Sequence, residues 1–215
     1  MRVEGLGDVE EAVSFLVEQF AVHETILSAL RVNPSDELRQ LLRDVVSDCV
    51  GRGGASRAAR SESGQLIGLS LATANGSLEK QLDRLYSYAF DDRQLRIVVS
   101  FAQTLFNRFD MTFHLSEEQL RRPLFLALLC VHSSYWRSGV GRQLLQATLA
   151  VGKELGCDGA FGLASNTQAN RLFAPFLSRS AQTVMYNSYK GEFREPPIVP
   201  ADPKQTGIVL RTGRF

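Results

Sequence analysis

An apolar run that passes through a glycine turn straight into a helical stripe constrains this chain more than any other stretch. Residues 123–155 read PLFLALLCVHSSYWRSGVGRQLLQATLAVGKEL. Leu124 to Val131 is too short for a membrane span and is bounded by polar residues, which is the pattern of a strand buried on both faces. His132, Ser133 and Ser134 end the run, and Ser138-Gly139-Val140-Gly141 makes a tight turn. Helical spacing follows at once: Val140, Leu144, Ala147, Val151 and Leu155 share one stripe, while Arg142, Gln143, Lys153 and Glu154 face elsewhere. The unit is strand, glycine loop, helix.

That order suits an anion, because a helix start presents unpaired backbone N–H groups and a positive dipole end. Glycines let a bulky pyrophosphate approach them closely. Three kinds of loop share this plan. A dinucleotide fingerprint needs a third glycine where this chain has Leu144, and a nucleotide-hydrolase phosphate loop needs Gly-Lys-Ser or Gly-Lys-Thr where this chain has Gly141-Arg142-Gln143. The third, the coenzyme A loop, fits. Residues 136–141 resemble motif A of the GNAT acyltransferases, Gln/Arg-x-x-Gly-x-Gly/Ala, with Trp136 in the Gln/Arg position and Arg137, Ser138, Gly139, Val140 and Gly141 completing it. Arg137 stands beside Trp136 as a source of the missing cation.

The remaining sequence supports one domain, residues 1–215, since 44% hydrophobic residues is ample for one core. A net charge of +1 gives no overall field toward nucleic acid or an acidic membrane surface, so any cationic site is local. Three cysteines, Cys49, Cys130 and Cys157, lack metal-ligand spacing, and no metal is expected. They read as buried thiols of a reducing compartment. No signal peptide or spanning segment is recognised, and a cytoplasmic location is expected.

In chain order, Met1 to Leu6 reads as a strand, and the first helix starts at Asp8 or Val9 with Val13, Leu16, Val17 and Phe20 on one face. Asn33-Pro34-Ser35 offers a cap for a second helix carrying Leu38, Leu41, Leu42, Val45, Val46 and Cys49. Ser56 to Glu62 and Gln65 to Ala74 read as a hairpin, Leu78 to Ala89 as an ambiguous stretch, and Asp91 to Phe109 as a helix. After the central unit come a strand from Gly159 to Ala164, a helix from Asn166 to Leu177 strained by Pro175, a strand from Thr183 to Tyr189, a proline-rich loop and a last strand from Gly207 to Thr212.

This order is similar to that of GNAT proteins, and within them to the insect-type arylalkylamine, or dopamine, N-acetyltransferases. Phe20 to Thr25 resembles their Phe-x-x-x-Glu-Pro, with Thr25 for Pro; Asn107-Arg108-Phe109-Asp110 resembles their Asn-x-Phe-Asp; the ending Gly207-Ile208-Val209-Leu210 is also similar. The resemblance implies an α/β fold with a mixed, mostly antiparallel twisted sheet flanked by helices. It implies acetyl-CoA as co-substrate and direct attack by a bound amine.

On that template Glu24 is the general base, with His23 and His132 as alternatives. Backbone groups of Leu129, Cys130 and Val131, and N–H groups from Cys130 to His132, would hold the thioester; those from Arg137 to Arg142 would hold the pyrophosphate. The tyrosine that many GNAT enzymes use as acid corresponds to Phe173. The insect-type serine pair maps to Ser165 and Ala169, which leaves Ser165 as the acid candidate or, more simply, as the cap of the following helix. Asn166 and Arg171 complete the implied cofactor contacts. The implied acceptors are dopamine, serotonin, tyramine, octopamine or tryptamine, in a pocket drawing on Phe20, Tyr86, Phe109, Phe113, Tyr186 or Tyr189. Polyamines, amino acids, protein amines, a different acyl donor, or a degenerate coenzyme A binding domain are the alternatives. Oligomeric state is not legible.

Overall fold

The computed structural model describes residues 1–51, 54–74, 83–115, 120–191 and 196–215, the side chains of 110–115 excepted. Its strands are β1 (Arg2–Gly5), β2 (Arg57–Arg60), β3 (Leu66–Ala74), β4 (Pro123–Val131), β5 (Gly159–Ala164), β6 (Arg179–Met185) and β7 (Gly207–Arg214). Its helices are α1 (Val9–Phe15), α2 (Thr25–Ala29), α3 (Asp36–Gly51), α4 (Arg93–Leu115), α5 (Val140–Glu154) and α6 (Thr167–Phe173). The strands form one seven-stranded sheet in the order β1-β2-β3-β4-β5-β7-β6. Every pairing is antiparallel except β4 with β5. A parallel pair needs a crossover, and α5 supplies it.

β4 is buried on both faces, as its unbroken apolar run requires. Phe125 packs with Phe101, Phe161 and Tyr186 on one face, while Leu124 and Leu126 pack with Leu145 and Leu149 of α5 on the other. On the first face lie α1 and α3, whose Val13, Leu38, Leu42 and Val46 share a core with Leu69 and Leu71 of β3. Each such leucine removed from water contributes about 2 kcal/mol. Ser35 begins α3 as expected, accepting from the Leu38 amide at 3.2 Å. The central helix therefore covers one side of the sheet and the N-terminal helices the other.

Some boundaries differ from the sequence reading for physical reasons. The expected strand from Thr183 to Tyr189 is β6, shifted earlier, and Tyr186–Ser188 forms a 3₁₀ turn with Tyr186 buried in the core. The expected helix from Asn166 to Leu177 stops at Phe173, because Pro175 cannot donate to the helical ladder. Asn107 to Asp110 lies inside α4 rather than at its end, since that helix runs to Leu115. Of the ambiguous stretch from Leu78 to Ala89, residues 83–86 are helical and residues 78–82 lie outside the described residues. Among the described residues no helix is long and apolar enough to cross a membrane.

Candidate active site

β4 and β5 pair over only four positions, ending at Leu126 opposite Gly162. At that point β4 bulges: Leu71 of β3 faces Leu128 while Ala72 faces Leu126, so Ala127 is the extra residue. Beyond it β4 stays with β3, and Leu163 and Ala164 of β5 stay with β7. The two central strands splay, and their facing edges are not joined by a ladder. Such edges can take an extended, amide-bearing ligand as if it were another strand.

Strand alternation decides which groups face the gap. The His132 amide donates to the Ile67 carbonyl of β3 at 2.9 Å, so the amides of Leu129 and Val131 point the other way, into the splay. Of the amides from Cys130 to His132 expected to hold the thioester, only that of Val131 points into the splay. Cys130 is 7% exposed, and burial pushes its thiol up to about 12, which leaves no thiolate to act as nucleophile.

The loop after β4 is fastened by its own side chains. His132 Nδ1 accepts from the Ser134 amide at 3.1 Å, and Ser138 Oγ donates to the Tyr135 carbonyl at 2.6 Å. Its backbone enters the left-handed region at Arg137 (φ 63°) and at Gly139 (φ 88°), a conformation natural to glycine that costs arginine about 1–2 kcal/mol. Successive turns of this kind aim neighbouring N–H groups at one point, forming an anion-binding concavity. Gly139 precedes α5 without a side chain to cap it. A Cβ on Gly141 would meet Leu172, Leu129 and Val131 at an ordinary 3.4–3.6 Å, so internal packing does not require glycine there. These residues fit a pyrophosphate: the amides of Val140, Gly141 and Arg142 lie in the first turn of α5, where no helical carbonyl can accept from them.

Trp136 is placed differently from the expected cation position. Its indole Nε1 donates to the Val131 carbonyl at 2.8 Å, and its half-exposed ring meets His23 edge-on at 4.9 Å between centroids. Arg142 lies over the Phe176 ring at 5.8 Å, and Arg171 is exposed on α6. Asn166, not Ser165, caps α6, accepting from the Ala169 amide at 2.8 Å. The expectation that Ser165 is the cap is overturned because Asn166 holds the extended backbone (φ −150°, ψ 168°) that a cap residue needs.

Ser165 instead turns to Glu24. The chain before Glu24 is wound as a π-helical segment, Leu16–Phe20, and one further turn, Ala21–His23. Glu24 then leaves the helix (φ −68°, ψ 137°) and caps α2, its Oε2 accepting from the amides of Ile26 at 2.7 Å and Leu27 at 2.9 Å. The Ser165 hydroxyl lies within hydrogen-bonding reach of the same carboxylate. Burial outweighs these bonds and pushes its pKa above the usual carboxylate value. Gln19 ties the π-helical segment to the end of β4, accepting from the Ser133 amide at 3.1 Å.

Two contacts near Glu24 escape sequence reasoning. The Tyr186 phenol donates to the Ser165 carbonyl at 2.5 Å, and Thr25 Oγ1 donates to Gln205 Oε1 at 2.9 Å. The sequence reading puts Tyr186 on a pocket wall, but at 1% exposure it packs beside Phe101 in the core. Phe109 and Tyr189 are likewise buried, Tyr86 is exposed, Phe20 is half-buried, and the side chain of Phe113 lies outside the described residues. Phe173 sits against β5, its ring 3.1 Å from where a Gly162 Cβ would be. The departure at Thr25 is the one legible hint of the Gln205 contact.

Residues 75–176 match the Acetyltransferase (GNAT) family. A search of curated protein sequences finds no match. The fold is similar to that of arylalkylamine N-acetyltransferase 2 from Aedes aegypti, with TM-score 0.77 and 17% identity over 99% of this chain and 98% of that one. It is similar to the Drosophila melanogaster polyamine N-acetyltransferase that forms N-acetylagmatine, with TM-score 0.79 and 17% identity over 100% and 99%. It also resembles the C-terminal condensation domain of Ebony in complex with β-alanyl-dopamine, with TM-score 0.75 and 14% identity over the whole of both chains. With a splayed central pair of strands, an uncapped glycine turn and this family match, the chain carries a GNAT acetyltransferase domain and is an acetyl-CoA-dependent acyltransferase.

Proposed function

We propose that this single domain is a cytoplasmic N-acetyltransferase acting on the primary amine of an arylalkylamine. The contact between Glu24 and Ser165 carries the reading, because it sets a desolvated carboxylate beside the end of β5, where the splay opens. Acetyl-CoA supplies an activated acyl group when bound. The amides of Leu129 and Val131 line the gap for its thioester arm, and those from Arg137 to Arg142, with the Arg137, Arg142 and Arg171 side chains, stand for its phosphates.

An amine must lose its proton before it can attack. A carboxylate whose pKa is raised by burial is a stronger base than an exposed one. Glu24 fills that role, directly or through one water. The Ser165 hydroxyl lies within reach of Glu24, so it serves the base rather than the leaving thiolate.

A second reading keeps the chemistry and changes the acceptor to a polyamine or agmatine. Its support is the fold shared with the polyamine N-acetyltransferase at a TM-score of 0.79. Steady-state assays with acetyl-CoA against dopamine, serotonin, tyramine, octopamine, tryptamine, agmatine and spermidine separate the two. A kcat/KM at least tenfold higher for the aromatic amines is the expected result, and a preference for agmatine or spermidine overturns it. If no acceptor turns over while coenzyme A binds tightly, the domain is a degenerate binding module.

A further inference from the structure

We propose that Tyr186 is a positioning residue for the Glu24–Ser165 pair, held in place by a latch between Thr25 and Gln205. The inference rests on Glu24 being the base. Ser165 is the first residue past β5, where pairing with β7 has stopped at Ala164, so no strand partner fixes its backbone. The Tyr186 phenol does so instead, donating to the Ser165 carbonyl at 2.5 Å. With its carbonyl pinned, the hydroxyl of the same residue is directed onto Glu24.

Tyr186 is itself anchored from three sides. Its ring packs beside Phe101 at 5.9 Å, its amide donates to the Thr206 carbonyl at 2.9 Å, and its phenol lies within hydrogen-bonding reach of the Thr25 hydroxyl. Thr25, 3% exposed and adjacent to Glu24, also holds Gln205 at 2.9 Å. Thr167 Oγ1 of α6 reaches the Lys204 carbonyl at 3.5 Å, so the segment before β7 bridges both ends of the site. Proline at position 25 would have no hydroxyl to give. Threonine there completes a frame, donating to Gln205 while its oxygen lies beside the Tyr186 phenol, whose own proton goes to the Ser165 carbonyl.

The frame acts on one quantity, the ease with which Glu24 ionises. The groups that face its carboxylate are the amides of Thr25, Ile26 and Leu27, the Ser165 hydroxyl and the Tyr186 phenol; His23, next in the chain, is exposed with its ring against Trp136. Burial and the Glu24 charge both push the phenol above the usual tyrosine range, so it stays protonated and serves only as a donor. The Ser165 bond favours the ionised carboxylate, so loosening it raises the Glu24 pKa further.

The test is a 13C NMR titration of the full chain labelled at glutamate carboxyls, with Glu24→Gln identifying the resonance. Ser165→Ala is expected to move the Glu24 midpoint up by about one pH unit, and Tyr186→Phe, which keeps the buried ring, by about half as much. Because Tyr186 acts through Ser165, the double variant should match Ser165→Ala alone. Thr25→Val and Gln205→Ala should give smaller upward shifts, with Thr25→Ser restoring the wild-type midpoint; they decide the matter if Tyr186→Phe does not fold. A wild-type midpoint in Tyr186→Phe, or additive shifts in the double variant, overturns the proposal. The acid limb of kcat/KM should move with the NMR midpoint. If the midpoint moves and the limb does not, the frame stands and Glu24 is not the base.

Discussion

The indole of Trp136 donates to the carbonyl of Val131, the last residue of β4, so the loop that carries the anion site is tied to the strand that lines the splay. One side chain couples the two halves of the proposed coenzyme A site. Trp136→Phe keeps the ring and removes the donor, at a cost of about 1 kcal/mol in loop order. Acetyl-CoA affinity should fall about fivefold by calorimetric titration, while KM for the amine stays within twofold.

Glu24→Gln should separate activity from stability. Removing the base is expected to lower kcat by about 10²- to 10³-fold. The substituted amide keeps an oxygen to cap α2 but carries no charge. Since folding raises the Glu24 pKa, the folded state disfavours the ionised form: the penalty is full above the folded pKa and disappears as pH falls below the unfolded value. The variant should therefore melt higher than wild type at pH 8, with the difference vanishing near pH 4 in scanning calorimetry. Glu24→Ala, which loses the cap, should melt lower at both.

Gly159→Ala should be strongly destabilising although it adds one methyl group. Its Cβ would sit 2.4 Å from the Gly213 carbonyl oxygen of β7, a backbone atom that cannot rotate away. Overpacking of this kind costs about 3 kcal/mol. For a chain of this length the melting temperature should drop by about 6–12 °C.

Glu11→Gln tests the tie between α1 and the sheet edge. Arg60 of β2 reaches both Glu11 oxygens, at 2.7 and 2.6 Å, and Glu4 of β1 at 2.6 Å. The Arg60 hydrogen bonds hold the Glu11 carboxyl below its usual pKa, so this stability is present above the unfolded carboxylate value and is lost as pH falls through the folded one. The pair is partly exposed and is worth about 0.5–1 kcal/mol. Melting should fall by about 1–4 °C at pH 7, and the gap to wild type should narrow in 1 M salt and below pH 4.

Glu24 was singled out by the resemblance of Phe20 to Thr25 to a family motif, whereas local pattern alone determined the strand, glycine loop and helix from Leu124 to Leu155 and the hairpin of β2 and β3. These depend on periodicity, on glycine's access to the left-handed region at Gly139, and on runs of apolar residues, all written in neighbouring positions. Only the tertiary structure decided what Glu24, Trp136 and Ser165 touch. The splay depends on a bulge at Ala127 that shows in no composition, because it arises from the register between β3 and β4. Asn166 and Ser165 are both good caps by residue type, and backbone dihedrals chose between them. Tyr186 and Gln205 reach the site from the far end of the chain, and hydrogen bonds between such distant residues leave no spacing to read. Contacts made by packing, unlike elements made by periodicity, exist only once the sheet has closed.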